Sequence, residues 1–206
     1  MHRSVLFGIV FIGLTAAAFA QGSGVQRSEL SAQVSGVFIS GTNNTPTTHV
    51  AKHSAGLLVG YRFHINSWEA IEVEYGYTRN GQRYFTPGTA PGSPGTNFAI
   101  TANMQEAIAN EVITTPRIGG FLQPFIVAGG GLVFFNPRGP SSIAVTHQKR
   151  GAGNFGVGVD FHIMHIGARA EFQELLFKVP DFGNPLLTTN KWTHVAQPSV
   201  GLVLTF

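Results

Sequence analysis

The feature that most constrains this chain is an apolar side chain at every second position, recurring along most of its length. Val200, Leu202, Leu204 and Phe206 share one face, with Ser199, Gly201, Val203 and Thr205 on the other. Ile166, Ala168, Ala170 and Phe172 stand opposite Gly167, Arg169, Glu171 and Gln173 in the same way. Leu57, Val59, Tyr61, Phe63 and Ile65 oppose Leu58, Gly60, Arg62 and His64, while Ile71, Val73, Tyr75 and Tyr77 oppose Glu72, Glu74 and Gly76. Phe155, Val157, Val159, Phe161 and Ile163 oppose Gly156, Gly158, Asp160 and His162. A period of two belongs to β-strands, whose successive side chains point to opposite faces, and not to helices. Less regular segments at about 29–40, 97–113 and 121–136 bring the expected number of strands to eight.

The connections sort by length. Long ones at 41–53, 78–96, 137–150 and 183–193 alternate with short ones at 66–68, 114–120 and 164–165. The long ones are rich in Gly, Pro, Thr, Asn and Ser. An up-and-down barrel in an outer membrane has this asymmetry, with short periplasmic turns and long extracellular loops. A β-sandwich has no reason to sort its loops so. Composition points the same way. The chain is 43% hydrophobic but only 11% charged, against about 25% charged for an average soluble domain. Its mean hydropathy of +0.13 is too low for a helical membrane protein. Barrels fall between these classes because only alternate strand residues meet lipid.

Desolvation decides which face points outward. One face carries nearly every large apolar side chain, and the other carries Gly, Ser, Thr and charges. An eight-stranded barrel has an interior only just wide enough for side chains to fill, too narrow for that many Phe, Tyr, Leu and Ile. The apolar face is therefore assigned to lipid. The fold class expected is all-β: a closed eight-stranded antiparallel up-and-down transmembrane β-barrel. Closure pairs the first strand with the last, near Leu30–Phe38 and Val195–Phe206.

Residues 1–20 read as a signal peptide: His2 and Arg3 precede an apolar run from Val5 to Phe19, and Ala18-Phe19-Ala20 offers a cleavage site. The barrel domain is then 21–206. With no cysteine in the chain, disulfides, thiolate metal sites and Cys nucleophiles are excluded.

Turn lengths predict two registers, the first of which would shift with a longer turn, since Met164-His165 is a poor type I′ sequence. A two-residue turn at Met164-His165 sets Ile163 against Ile166 and Asp160 against Arg169. A three-residue turn at Asn66-Ser67-Trp68 sets Arg62 against Glu72. Both pairs of opposite charge fall on the inward face, as a buried charge requires.

With these residues in view the chain resembles the small eight-stranded outer-membrane barrels, similar to the membrane domain of outer membrane protein A. The likeness is one of pattern and spans 21–206. The terminal strand ending in Phe206 looks like the signal read by barrel-assembly machinery, and Phe125–Phe135, with Gly129-Gly130-Gly131, looks like the glycine-rich fifth strand. The resemblance implies an interior ion-pair network, for which Arg62, Glu72, Glu74, Asp160, Arg169 and Glu171 are the matching candidates. Larger relatives continue into a peptidoglycan-binding domain; the chain ends at Phe206, and that activity is not carried over.

Lys52, Arg79, Arg83, Arg138, Lys149, Arg150 and Lys191 lie in or beside the long loops, with Asp181 the one acid among them. A basic outer end suits contact with anionic groups such as lipopolysaccharide phosphates or a host polyanion; a solvated surface without a ligand fits equally. Neither nucleic acid nor an enzyme substrate is expected as a partner, and no cofactor. His49 and His53 are expected as a solvated loop pair, not a metal site, and His64 and His162 as interior histidines. Tyr61, Tyr75, Tyr77, Phe63 and Trp68 are expected near strand ends as an aromatic girdle. The expected function is that of a monomeric outer-membrane protein of a Gram-negative bacterium with a structural and surface-interaction role, its lumen filled and at most weakly conducting. Two alternatives stay open: a lipid-modifying enzyme using Ser199, His162 and a carboxylate, and a narrow diffusion channel.

Overall fold

The computed structural model describes residues 28–43, 48–51, 53–86, 94–138, 144–188 and 190–206. The expected signal peptide, 1–20, and its cleavage site lie outside the described residues, as does Lys52.

Eight antiparallel strands form the wall: β1 (Ser28–Ile39), β2 (Ser54–His64), β3 (Glu69–Thr86), β4 (Thr96–Thr114), β5 (Leu122–Arg138), β6 (Gln148–Ile163), β7 (Ile166–Lys178) and β8 (Trp192–Thr205). Each pairs with its neighbours in sequence, and β1 pairs with β8 to close the barrel, Leu30 opposite Leu204 and Phe38 opposite Ala196. The seam is completed by the chain end: Phe206 N donates to Ser28 O at 2.9 Å, and Ser28 N to Phe206 O at 3.1 Å. Closure satisfies the backbone groups that lipid cannot. The β1–β8 register is interrupted at Gly36 and Val37, opposite Pro198, which has no N–H to give.

The hydropathy of the barrel is inverted. Val200 and Leu202 are 58% and 65% exposed on the outside, while Arg62 and Arg169 are 1% and 2% exposed within. The belt of outward Val, Leu, Ile and Phe side chains includes Val34, Leu57, Val73, Ile126, Val157 and Ile166. Both turn registers hold, with Arg62 opposite Glu72 and Asp160 opposite Arg169.

Three expectations are corrected. The stretch 78–96 is not one loop, because β3 runs to Thr86 and β4 starts at Thr96. The alternation persists there, with Thr78, Asn80, Gln82 and Tyr84 buried and Arg79, Arg83 and Phe85 exposed. Polar side chains on both faces hide it from a hydropathy reading. Strand extension also moves Tyr75 and Tyr77 away from a strand end; Tyr77 instead sits where the outward face changes from apolar to Arg79. Phe63 and Trp68 do lie beside the short turn.

The third correction concerns the lumen, whose inward face is not uniformly small and polar. Its half nearer the long loops is packed with Val37, Ile39, Ile100, Met104, Ile108, Val133, Phe135, Leu175, Phe177 and Val195. Beyond the apolar belt the wall no longer faces lipid, and the interior there packs as a soluble core would. Short strands at Thr42–Asn43 and Thr48–Ala51 extend the wall by pairing onto the outer part of β3.

Candidate functional site

The lumen is layered. At the short-turn end β1, β2, β3, β6 and β7 each project one charged residue inward. Arg62 Nε donates to Glu72 Oε2 and its Nη1 to Asp160 Oδ2, each at 2.9 Å. Arg169 donates to Asp160 Oδ1 at 2.6 Å, to Glu72 Oε2 at 2.8 Å and to Glu29 Oε2 at 2.8 Å. The two guanidiniums lie 4.3 and 5.1 Å from the Phe125 ring centroid, so their faces meet a π-system while their edges meet carboxylates. His64 Nε2 reaches Glu29 Oε1 at 3.0 Å, and His162 Nε2 reaches the same atom at 3.5 Å. Arginine suits this place because its planar fork can bind several carboxylates at once.

Glu29 is a member that the sequence reading did not name. Its strand is irregular in hydropathy and follows no turn from which a register could be counted. Ser31 and Gln33, which share its inward face, were the available signal.

The next layer holds the other two candidates. Among the described residues Glu74 and Glu171 form no ion pair with an arginine; Glu74 accepts from Gln173 Nε2 at 3.2 Å, and Glu171 Oε2 accepts from Gln33 Nε2 at 3.4 Å. Glu106, also unanticipated, accepts from Gln197 Nε2 at 2.8 Å. Asn154 Nδ2 joins Asn110 and Gln173 at 3.0 and 2.8 Å. Of the six expected network residues, then, Arg62, Glu72, Asp160 and Arg169 form one ion-paired group, while Glu74 and Glu171 sit above it with amide partners.

Above this comes the apolar layer, closed by the segment between β7 and β8. Val179, Phe182 and Leu187 are buried in it. Phe182 lies edge-on to Tyr84 and Phe135, with centroids 6.4 and 6.2 Å apart. The Tyr84 hydroxyl donates to Pro180 O at 2.6 Å. Phe182 holds φ 51° and Gly183 φ 73°, a conformation costly for a bulky side chain and kept by its surroundings. Asp181 fastens the segment: it accepts from Gln148 at 2.5 Å and Arg150 at 3.0 Å, and its backbone N donates to Gln148 Oε1 at 2.9 Å. Burial acts to raise the Asp181 carboxyl, but the Gln148 amide, the Gly183 N–H and the Arg150 guanidinium outweigh it and hold the group below its ordinary range.

Other residues singled out from sequence fall as follows. His49 is not solvated; it is buried, its Nε2 hydrogen-bonded to Gln82 and its ring 4.9 Å from Tyr84. His53 is exposed and lies against Phe38 at 5.1 Å, so the two histidines share no ligand. Ser199 Oγ donates to Gln33 Oε1 at 3.0 Å, and Ser199 sits opposite Glu171. His162 sits opposite Gly167, two inward positions nearer the turn, so the pair does not converge. Gly129 and Gly131 lie in β5, where an added Cβ would meet the carbonyl oxygens of Ala109 and Ala107 at 2.1 and 2.0 Å. Close strand approach accounts for those glycines. Arg79, Arg83, Arg138, Lys149 and Lys191 are outward or exposed at the long-loop end, joined by Lys178.

No family profile matches the chain, and no curated protein does. Solved structures do. Neisserial surface protein A shares 11% identity at a TM-score of 0.55, covering 87% of this chain and 97% of that one. Ail, the attachment invasion locus protein of Yersinia pestis, in complex with the heparin analogue sucrose octasulfate, gives 14% identity and a TM-score of 0.53 over 88% and 99%. The outer membrane protein OprG from Pseudomonas aeruginosa gives 12% and 0.53 over 90% and 98%. At such identities the likeness establishes the fold, that of the small eight-stranded outer-membrane β-barrels.

Proposed function

We propose that this barrel resides in the outer membrane of a Gram-negative cell and serves as a structural, surface-exposed scaffold that binds anionic groups at its long-loop end. The signal-peptide pattern of residues 1–20 supports export, and the outward apolar alternation of Val200, Leu202 and Leu204 beside the closing seam suits recognition by barrel-assembly machinery. The observation that carries the reading is the position of the cations. Arg79, Arg83, Arg138, Lys149 and Lys178 are exposed on the outer wall just beyond the apolar belt, at the height of lipid headgroup phosphates and sugars. Outward Phe85 and Trp192 stand among them. Lipopolysaccharide phosphates have the charge these cations would bind. A sulfated polyanion of the kind in complex with Ail has the same charge chemistry.

The packed lumen supports a non-conducting role. Ion pairs at one end, amide-bridged carboxyls in the middle and the Phe135–Phe177–Phe182 cluster at the other leave the chain's own side chains in the path. The test is binding of the barrel, in nanodiscs, to lipopolysaccharide and to its dephosphorylated form. Phosphate-dependent binding that weakens steeply with salt, and weakens again when Arg79, Arg83 and Lys149 become Gln, supports the reading. Equal binding by the triple variant overturns it.

A further inference from the structure

The carboxylates of β3 and β7 leave a charge imbalance that the ion pairs do not resolve. Among the described residues, six buried carboxyl groups (Glu29, Glu72, Glu74, Glu106, Asp160 and Glu171) share the lumen with only two buried arginines, Arg62 and Arg169. Both arginines are spent on the lower layer. No ion pair reaches Glu74, Glu106 or Glu171 among those residues.

Three of the acids converge. Glu72, Glu74 and Glu171, all buried, each offer an oxygen within 4.8 Å of the others. Oxygens that close can share one cation, and Ca²⁺ accepts an all-protein set of carboxylates more readily than Mg²⁺, which dehydrates reluctantly. Separate from this proximity is the state of the oxygens. Glu72 Oε2 accepts from both arginines, and its Oε1 is buried without a hydrogen-bond partner. Glu171 Oε2 is taken by Gln33, and its Oε1 is likewise without one.

A fourth acid, outside the triad, points the same way. Glu106 is 2% exposed and stands opposite Gly76, the next inward position after Glu74. Its side chain lies over that glycine, so that an added Cβ would meet Glu106 Oε1 at 2.1 Å. Its other oxygen, Oε2, is buried with no partner. Buried acceptors without donors are rare in folded proteins and call for an explanation. Three of these four acids, Glu72, Glu106 and Glu171, thus hold a buried oxygen without a partner, and carboxylate oxygens are the hard donors that suit alkaline-earth cations.

We propose that Glu72, Glu74 and Glu171 form a mid-lumen site for one divalent cation of the calcium type, with Glu106 beside it. The ion would tie β3 to β7 across the barrel and balance Glu74 and Glu171, which the arginines leave unpaired.

The test uses the full chain folded in phosphatidylcholine nanodiscs, free of anionic lipid, and stripped with chelator. CaCl₂ titrated calorimetrically should show saturable binding of about one ion per barrel, stronger than MgCl₂, and should raise the thermal midpoint. E74Q and E171Q should each weaken Ca²⁺ binding at least about tenfold and remove the midpoint rise while preserving the mobility shift between unboiled and boiled samples. Should E171Q fail to fold, E74Q alone decides, since Gln keeps the shape that Gln173 holds. Absence of saturable Ca²⁺ binding to the wild type, as expected of carboxyls that share protons instead, overturns the proposal. So does wild-type Ca²⁺ affinity in a folded E74Q.

Discussion

Substituting Val200 by arginine is the sharpest perturbation of the wall. Val200 is 58% exposed on the outside, between Val34 of β1 and Ala170 of β7. An antiparallel strand rises about 3.4 Å per residue, and tilt of about 40° reduces this to roughly 2.6 Å of depth per residue. Taking Phe206 as the edge of the belt, Leu204, Leu202 and Val200 lie roughly 5, 10 and 15 Å inside. The apolar band of such barrels is about 25 Å tall, so Leu202 and Val200 flank its middle and Leu204 lies nearer an edge. Arginine near the middle should cost about 2–4 kcal/mol, falling to roughly 0–1 near an interface. V200R and L202R should therefore cost about the same, and each more than L204R, read as shifts in the denaturant midpoint of reversible unfolding from phospholipid bilayers. A cost at Leu204 equal to or larger than those at Leu202 and Val200 would refute the depth assignment.

Arg169→Met removes a guanidinium shared by Glu29, Glu72 and Asp160, and stranding buried charges should cost about 3–5 kcal/mol in the same unfolding assay; Arg169→Lys should recover only part, lacking the fork. Gly129→Ala should destabilise by about 1–3 kcal/mol because a Cβ would meet Ala109 O at 2.1 Å, whereas Gly153→Ala, with open space around it, should stay within about 0.5 kcal/mol. Asp181 is held below its ordinary pKa of 3.8, so its stabilisation is present above that value and lost as pH falls through the lower, folded one. Protease access to residues 179–187 should accordingly rise on acidification below about pH 4, and Asp181→Asn should show raised access with little dependence on pH. In planar bilayers the wild-type barrel should show no steady nanosiemens opening.

Legibility in the sequence followed the environment of each residue. Where one face meets lipid and the other a polar lumen, as at Ile166–Gln173, two-residue alternation exposed both faces. Short turns then carried the register from Arg62 to Glu72 and from Asp160 to Arg169. Where the wall rises past the apolar belt the contrast fails. Val133 and Phe135 are buried in the lumen beside outward Leu132 and Phe134, so both faces look alike in hydropathy. Gln82 and Arg83 are polar on both sides for the same reason. Glu29 escaped because β1 is joined to the barrel by a long connection and by closure onto β8, neither of which can be counted from sequence. His49 escaped because its burial depends on the outer extension of β3, through Gln82 and Tyr84.

The account rests on which face of the wall meets lipid. Since the chain contains no cysteine, single cysteines placed at each position from 195 to 205 and labelled with a nitroxide can report it directly. In bilayers, collision with dissolved oxygen should be high at 200, 202 and 204 and low at 199, 201, 203 and 205. A profile with the opposite phase, or with no two-residue period, would contradict the inverted barrel.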